Sequence, residues 1–196
     1  QENAQKYFAK YNKQKRTFEA LSELIQETAD EIRYLESVSN SLDIALSEAD
    51  LGQIKEELTA SGYVRRKFTK KKVKLTNKPM HYISSDGYDI YVGKNNIQND
   101  ELTFSFANGG DWWFHAKGAP GSHVIVKTNG DELPDRTFEE AGRLAAYYSK
   151  NRGSDKVEID YIEKKHVKKP NGAKPGFVVY YTNYSLMAAP DISDIK

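Results

Sequence analysis

The chain has 196 residues, 38% hydrophobic and 29% charged, with 29 Lys/Arg against 28 Asp/Glu and no Cys. That length suits one domain carrying an appendage, with one modest core rather than two full-sized ones. Disulfide scaffolds, cysteine zinc sites and cysteine nucleophiles are excluded, as is a membrane-spanning helix, because no run approaches about 18 apolar residues.

The net charge of +1 conceals an asymmetry. Residues 1–64 hold 7 Lys/Arg and 12 Asp/Glu, and residues 65–196 hold 22 and 16, so −5 faces +6. A basic half beside an acidic one hints at a polyanionic partner for the basic half. The chain starts at Gln1 with no apolar signal segment and reads as a fragment or processed product of a longer protein.

The first predicted element is a long helix. From Ala4 through Tyr7, Tyr11, Gln14, Phe18, Leu21, Ile25, Thr28, Ile32, Leu35 and Ser39 to Leu42, nine of 12 positions at 3-4 spacing are apolar or aromatic. This is the seam of a coiled coil, about 57 Å long at about 1.5 Å per residue. Ser47-x-x-Asp50 reads as a capping box that starts a second helix, with Leu51, Ile54 and Leu58 on its stripe and Gly62 past its end. A long arm with a short return leaves seam to be covered by a second copy or by another part of a parent protein. The arm is a structural spacer or a docking element. Self-association through it is one expectation.

Residues 65–78, RRKFTKKKVKLTNK, form a basic linker in which eight of 14 residues are Lys or Arg. Arg65, Arg66, Lys70, Lys71 and Lys72 are candidate phosphate contacts, each adding a salt-dependent increment to nucleic-acid affinity. A solvated linker is the alternative. The compact module spans 80–196. MHYIS and YDIYV around Ser85-Asp86-Gly87 predict a hairpin. Lys94, Asn95 and Asn96 are candidate nucleic-acid contacts, although Gly93-Lys94 alone does not make a phosphate loop. Asn99 is read as the N-cap of a short helix through Phe106. Trp112–Ala116 and Ser122–Lys127 are strands around a Pro-Gly turn. Thr137-x-x-Glu140 is read as a capping box for a helix from Phe138 to Ser149, and strands follow at 157–162, 176–181 and 185–188. The fold class is α+β: a helical arm, then a largely antiparallel sheet with two helices.

Three groups of residues carry possible chemistry. His115 and His123 flank the Pro-Gly turn, with Asp111 as the nearest third metal ligand, but hydrogen-bonded structural histidines are the commoner outcome. Ser122 beside His123 is not a catalytic pair, since neighbouring strand residues face opposite ways. No catalytic residue, metal or cofactor is therefore expected. A surface tryptophan, taken as Trp113, could stack a base beside His115 and Lys117 while lysines hold phosphates. The alternative is that both tryptophans are buried. The loop EKKHVKKPNGAKPG places Lys164, Lys165, Lys168, Lys169 and Lys174 in one segment with only Glu163 nearby, which favours an anion.

DWWFHAKGAPGSHVIVK, the preceding SDGYDIYVGKNNIQND and the later KKHVKKPNGAKPG together resemble the NFACT-R domain of RqcH/NEMF-family, fibronectin-binding protein A-like proteins. NAQKYFAKYNKQK is similar to the coiled-coil middle region of members from Gram-positive bacteria, streptococci especially. The resemblance spans essentially the whole chain in order. It implies a C-terminal piece of a cytoplasmic ribosome-quality-control factor that binds the large ribosomal subunit, rRNA and tRNA during rescue of stalled nascent chains. The Asp-Arg pair tied to alanine tailing in the family belongs to a domain outside this chain, and Asp135-Arg136 does not take that role. The resemblance also implies a second possibility, an adhesin at the cell surface that binds host fibronectin or fibrinogen.

Overall fold

The computed structural model describes residues 2–65 and 77–196. Helix α1 spans Glu2–Ile44 and α2 spans Glu48–Ala60. Strands β1 (Met80–Ile83) and β2 (Asp89–Val92) lead to α3 (Asn96–Glu101), which runs into a π-helical turn at Leu102–Phe106. Strands β3 (Trp112–Ala116) and β4 (Val124–Val126), helix α4 (Asp135–Tyr147), and strands β5 (Val157–Glu163) and β6 (Tyr184–Ala188) complete the chain. All six strands form one antiparallel sheet in the order β1-β2-β4-β3-β5-β6. The α+β class read from the sequence therefore holds. No described helix is long and apolar enough to cross a membrane.

Packing divides the chain into two units, residues 1–36 and residues 37–196. The first unit is helix alone. It contains no Gly or Pro, and short-range pairs such as Lys15–Glu19 lie along its surface. Tyr7, Tyr11, Phe18, Leu21, Ile25 and Ile32 of the seam are each more than half exposed.

The second unit takes in the last turns of α1 and all of α2, which the sequence reading assigned to the arm. There Val38, Asn40, Ser41 and Ile44 are buried, whereas the seam residues Ser39 and Leu42 are exposed. The end of α1 therefore packs on a face other than the 3-4 stripe read from the sequence. Asn40 donates to the carbonyl of Tyr148 at 3.3 Å. The N-cap of α2 forms as read, with Ser47 Oγ accepting from Asp50 N at 3.2 Å, while the Asp50 carboxylate reaches back to accept from Leu46 N at 3.0 Å rather than from Ser47 N. Burial opposes the charge on Asp50, but hydrogen bonds from Asn77, Ser47, Leu46 and Lys94 outweigh it and hold the carboxyl down at about 2.

The alternation of the strands decides the two faces of the sheet. Ile90, Val92, Phe114, Val124, Val126, Val157 and Ile159 point to the α4 side and pack on Ala141, Leu144 and Ala145. Trp113, Ile125 and Ile162 point the other way and are covered by Leu102, Ala107 and Val167.

Three local readings are corrected. The short helix is capped by Asn95, whose side chain accepts from Gln98 N, rather than by Asn99. Asn99 is buried, and its Oδ1 accepts from His123 N at 3.0 Å. Thr137 and Glu140 also make no capping box, because α4 already starts at Asp135 behind Pro134. Both residues hold the β1–β2 turn instead. Thr137 donates to Asp86 at 2.8 Å, and Glu140 accepts from the backbone and hydroxyl of Ser85. The expected strand at 176–181 is reduced to a single bridge between Lys168 and Val179.

Candidate nucleic-acid interface

Tertiary folding brings the lysine loop to the residues just ahead of the basic linker. Past α2, Gly62 turns the chain with φ +84°, and Tyr63 follows. Lys174 Nζ donates to the Tyr63 hydroxyl at 3.3 Å and lies 5.4 Å from its ring centroid. The lysine loop is thereby tied two residues ahead of Arg65, where the basic linker begins. Arg65 is exposed. Arg66, Lys70, Lys71 and Lys72 lie outside the described residues.

The loop is built rather than loose. Lys168 and Val179 exchange both backbone hydrogen bonds, at 2.9 and 2.8 Å. Lys169 pairs with Asp100 on α3, and the same carboxylate accepts from Gly176 N at 3.0 Å. Gly176 has φ +81°, and a Cβ there would stand 2.6 Å from Asn96 Oδ1, so only glycine closes this turn. Lys168 itself is exposed, with no carboxylate partner among the described residues. Lys164 lies 5.9 Å from the ring centroid of Phe104, and Lys165 pairs with Glu163.

Six sequence-derived candidates are displaced from this surface, His115 among them, stacked on the buried Trp113. Trp113 is fully buried, so it is no stacking platform. Alternation on β3 turns it inward beneath the π-helical turn, packed between His115, His123 and Tyr180 at centroid distances of 5.5, 5.1 and 5.0 Å. Asn95 and Asn96 are also buried, where Asn95 donates to Gln53 and Asn96 donates to Ser37 and Glu57. They dock α2 on α3. Lys94 is largely buried beside Asp50, 3.2 Å away. Lys117 is exposed but sits at the opposite end of β3 from Lys164, paired with Glu158 at 2.6 Å.

The histidine pair is structural in its contacts. The rings of His115 and His123 stand edge to face at 5.5 Å. His123 Nδ1 is 2.8 Å from Thr103 Oγ1. Burial pushes His115 down to about 4 and lowers His123 well below the usual range, so both are neutral at pH 7. Asp111 turns away from them to accept from Thr128 N at 3.2 Å and to pair with Lys127. Among the described residues, no three His, Asp or Glu are grouped to hold a metal.

Tyr63 escaped the sequence reading. Its only signal is an aromatic residue between a helix-ending glycine and a basic run.

Comparison with known proteins matches two family models along the chain, meeting between residues 77 and 78. Residues 1–77 match the NFACT N-terminal and middle domains, and residues 78–181 match the NFACT protein RNA binding domain. Rqc2 homolog RqcH of Streptococcus suis is 47% identical over 196 residues, covering 100% of this chain and 35% of that protein. The human ribosome quality control complex subunit NEMF is 37% identical over 81 residues, 40% of this chain and 7% of that one. The chain thus spans about a third of the length of the streptococcal relative. A solved structure, the C-terminal of the fibronectin/fibrinogen-binding protein from Streptococcus suis, superposes with TM-score 0.88 at 47% identity, covering 96% of this chain and 75% of that one. With both domain types matched in order along its length, the chain belongs to the RqcH/NEMF family of NFACT proteins.

Proposed function

We propose that this chain is the non-catalytic RNA-binding part of a ribosome-quality-control factor. It binds rRNA of the large ribosomal subunit together with tRNA in the cytoplasm. The observation that carries this reading is the junction of the lysine loop with the start of the basic linker through Lys174 and Tyr63. The matched RNA binding domain and the relatives named for ribosome quality control support it.

Lys168 is the clean probe of the surface, because reversing Lys165 or Lys169 would also break the pairs with Glu163 and Asp100. Lys168→Glu is expected to weaken binding of the whole chain to tRNA and to large-subunit rRNA. It should lower the slope of log affinity against log salt by about 0.9 for each phosphate that is no longer neutralised. Filter binding at several salt concentrations measures this, and an unchanged affinity and slope would remove Lys168 from the interface. The name of the solved relative favours a second reading, binding of host fibronectin or fibrinogen at the cell surface. Immobilised fibronectin serves as the second surface in the same experiment. Retention that resists salt and competing RNA would favour the adhesin, and its loss would remove this region from that role.

The exposed seam of residues 1–36 is covered, in this proposal, by a second copy of the fragment when no other part of a parent chain is present. Phe18→Glu with Ile25→Glu should then abolish concentration-dependent dimerisation in sedimentation equilibrium. A parent fragment that is monomeric at every concentration rejects self-association.

A further inference from the structure

Outside the lysine loop, three aromatic rings gather on one face of the sheet. On the sheet face away from α4, His81 of β1 and Tyr91 of β2 are cross-strand partners, and their rings stack at 4.7 Å with an interplanar angle of 18°. Phe106, at the end of the π-helical turn, packs edge to face with Tyr91, the ring centroids 4.7 Å apart. That turn is closed by Ala107 N donating to the Leu102 carbonyl at 2.9 Å. The wider turn carries Phe106 onto the sheet while leaving the residue 44% exposed, and His81 is exposed as well. π-helical turns often mark functional sites because they cost backbone regularity. One cation lies against the platform, and another lies against a neighbouring ring of the same turn. Lys127 Nζ stands 4.9 Å from the Phe106 centroid, and Lys164 flanks Phe104 on the same turn. Asp111 neutralises Lys127 and Asp89 pairs with His81, whereas Lys164 has no carboxylate partner among the described residues.

We infer that His81, Tyr91 and Phe106 form a stacking platform for an unpaired RNA base. The inference rests on the RNA-binding reading proposed above and supplies its single-strand selectivity. Aromatic faces accept any base that has left its own stack, which duplex RNA does not offer. Stacking is not an ionic contact, so it contributes affinity without adding to the salt slope.

The test uses the whole chain with a 12-nucleotide oligoadenylate and a duplex RNA of the same length. Phe106→Leu, which keeps an apolar contact on Tyr91, and His81→Ala, an exposed change, should each weaken oligoadenylate binding by about 5- to 100-fold. The salt slope should stay unchanged, and Phe106→Trp should restore affinity. Oligoadenylate affinity unaltered in both variants, while Lys168→Glu still weakens it, overturns the platform and leaves the RNA-binding reading intact. Equal losses on duplex and single strand also overturn it. A parent chain that binds neither RNA at low salt defeats the underlying reading instead.

Discussion

Trp113→Ala is expected to destabilise the protein by about 3–5 kcal/mol, the cost of removing a buried indole from a core that cannot close over the gap. Trp113 has no exposed surface and is packed by residues of five different segments: His115 from its own strand, Ile125 and His123 from or beside β4, Ile162 from β5, Leu102 from the π-helical turn, and Tyr180 from the C-terminal loop. Truncation would leave two neutral imidazoles facing a void. Trp113→Phe should cost far less. It keeps an aromatic ring, and it removes an indole N–H that has no acceptor among the described residues. Urea denaturation at pH 7.5 measures both changes. A loss below about 1 kcal/mol for the alanine variant would contradict the buried position, since surface substitutions usually fall within about 0.5 kcal/mol.

Stability is expected to fall steeply as the pH drops from about 6.5 towards 4. His115 and His123 ordinarily titrate at 6.5, whereas in the folded chain burial holds His115 down near 4 and His123 well below its usual range. Between these limits the unfolded chain takes up protons that the folded chain refuses. The stabilisation is therefore complete above pH 6.5 and is lost as the pH falls. The slope is about 1.4 kcal/mol per pH unit for each histidine, so His115 alone accounts for up to about 2 kcal/mol at pH 5. Asp160 opposes the shift at His115, whereas Lys169 and the neighbouring His115 reinforce that at His123. Asp50 contributes in a separate, lower window. Its folded value is near 2, so its stabilisation is present above 3.8 and disappears below that. His115→Gln should remove about one proton from the pH dependence between 6.5 and 4. Identical denaturation midpoints for the parent chain at pH 7.5 and pH 5 would refute the account.

Much of the fold was legible because local rules agree with the tertiary outcome. The 3-4 spacing of α1, the Ser47–Asp50 cap and the Asp86-Gly87 turn are each decided within a few residues. The misreadings occur where a short motif has two possible partners. Asn99 and the Thr137/Glu140 pair have the right residues for capping, but the sheet competes for their oxygens. His123 takes Asn99, and the β1–β2 turn takes the other two. Buried, those contacts outweigh a helix end that water could satisfy.

The site divides in the same way. A lysine-rich loop and a basic linker are visible as composition, and so is the hidden balance of −5 against +6. Alternation on β3 required Trp112 and Trp113 to face opposite ways. Which of them is fully enclosed depends on what covers each face of the sheet, and that was settled by the π-helical turn and Tyr180.

From the sequence alone, then, came the class of the fold, the long helix with its seam, the positions of most strands, and the basic segments. Each of these is set by periodicity, turn chemistry or charge within a short stretch of chain. Tertiary structure alone decided that Lys94, Asn95 and Asn96 serve the docking of α2, that Tyr63 meets Lys174, and that His81, Tyr91 and Phe106 share one surface. Those contacts join residues far apart along the chain. They follow from how strands and helices stack, which no local pattern encodes.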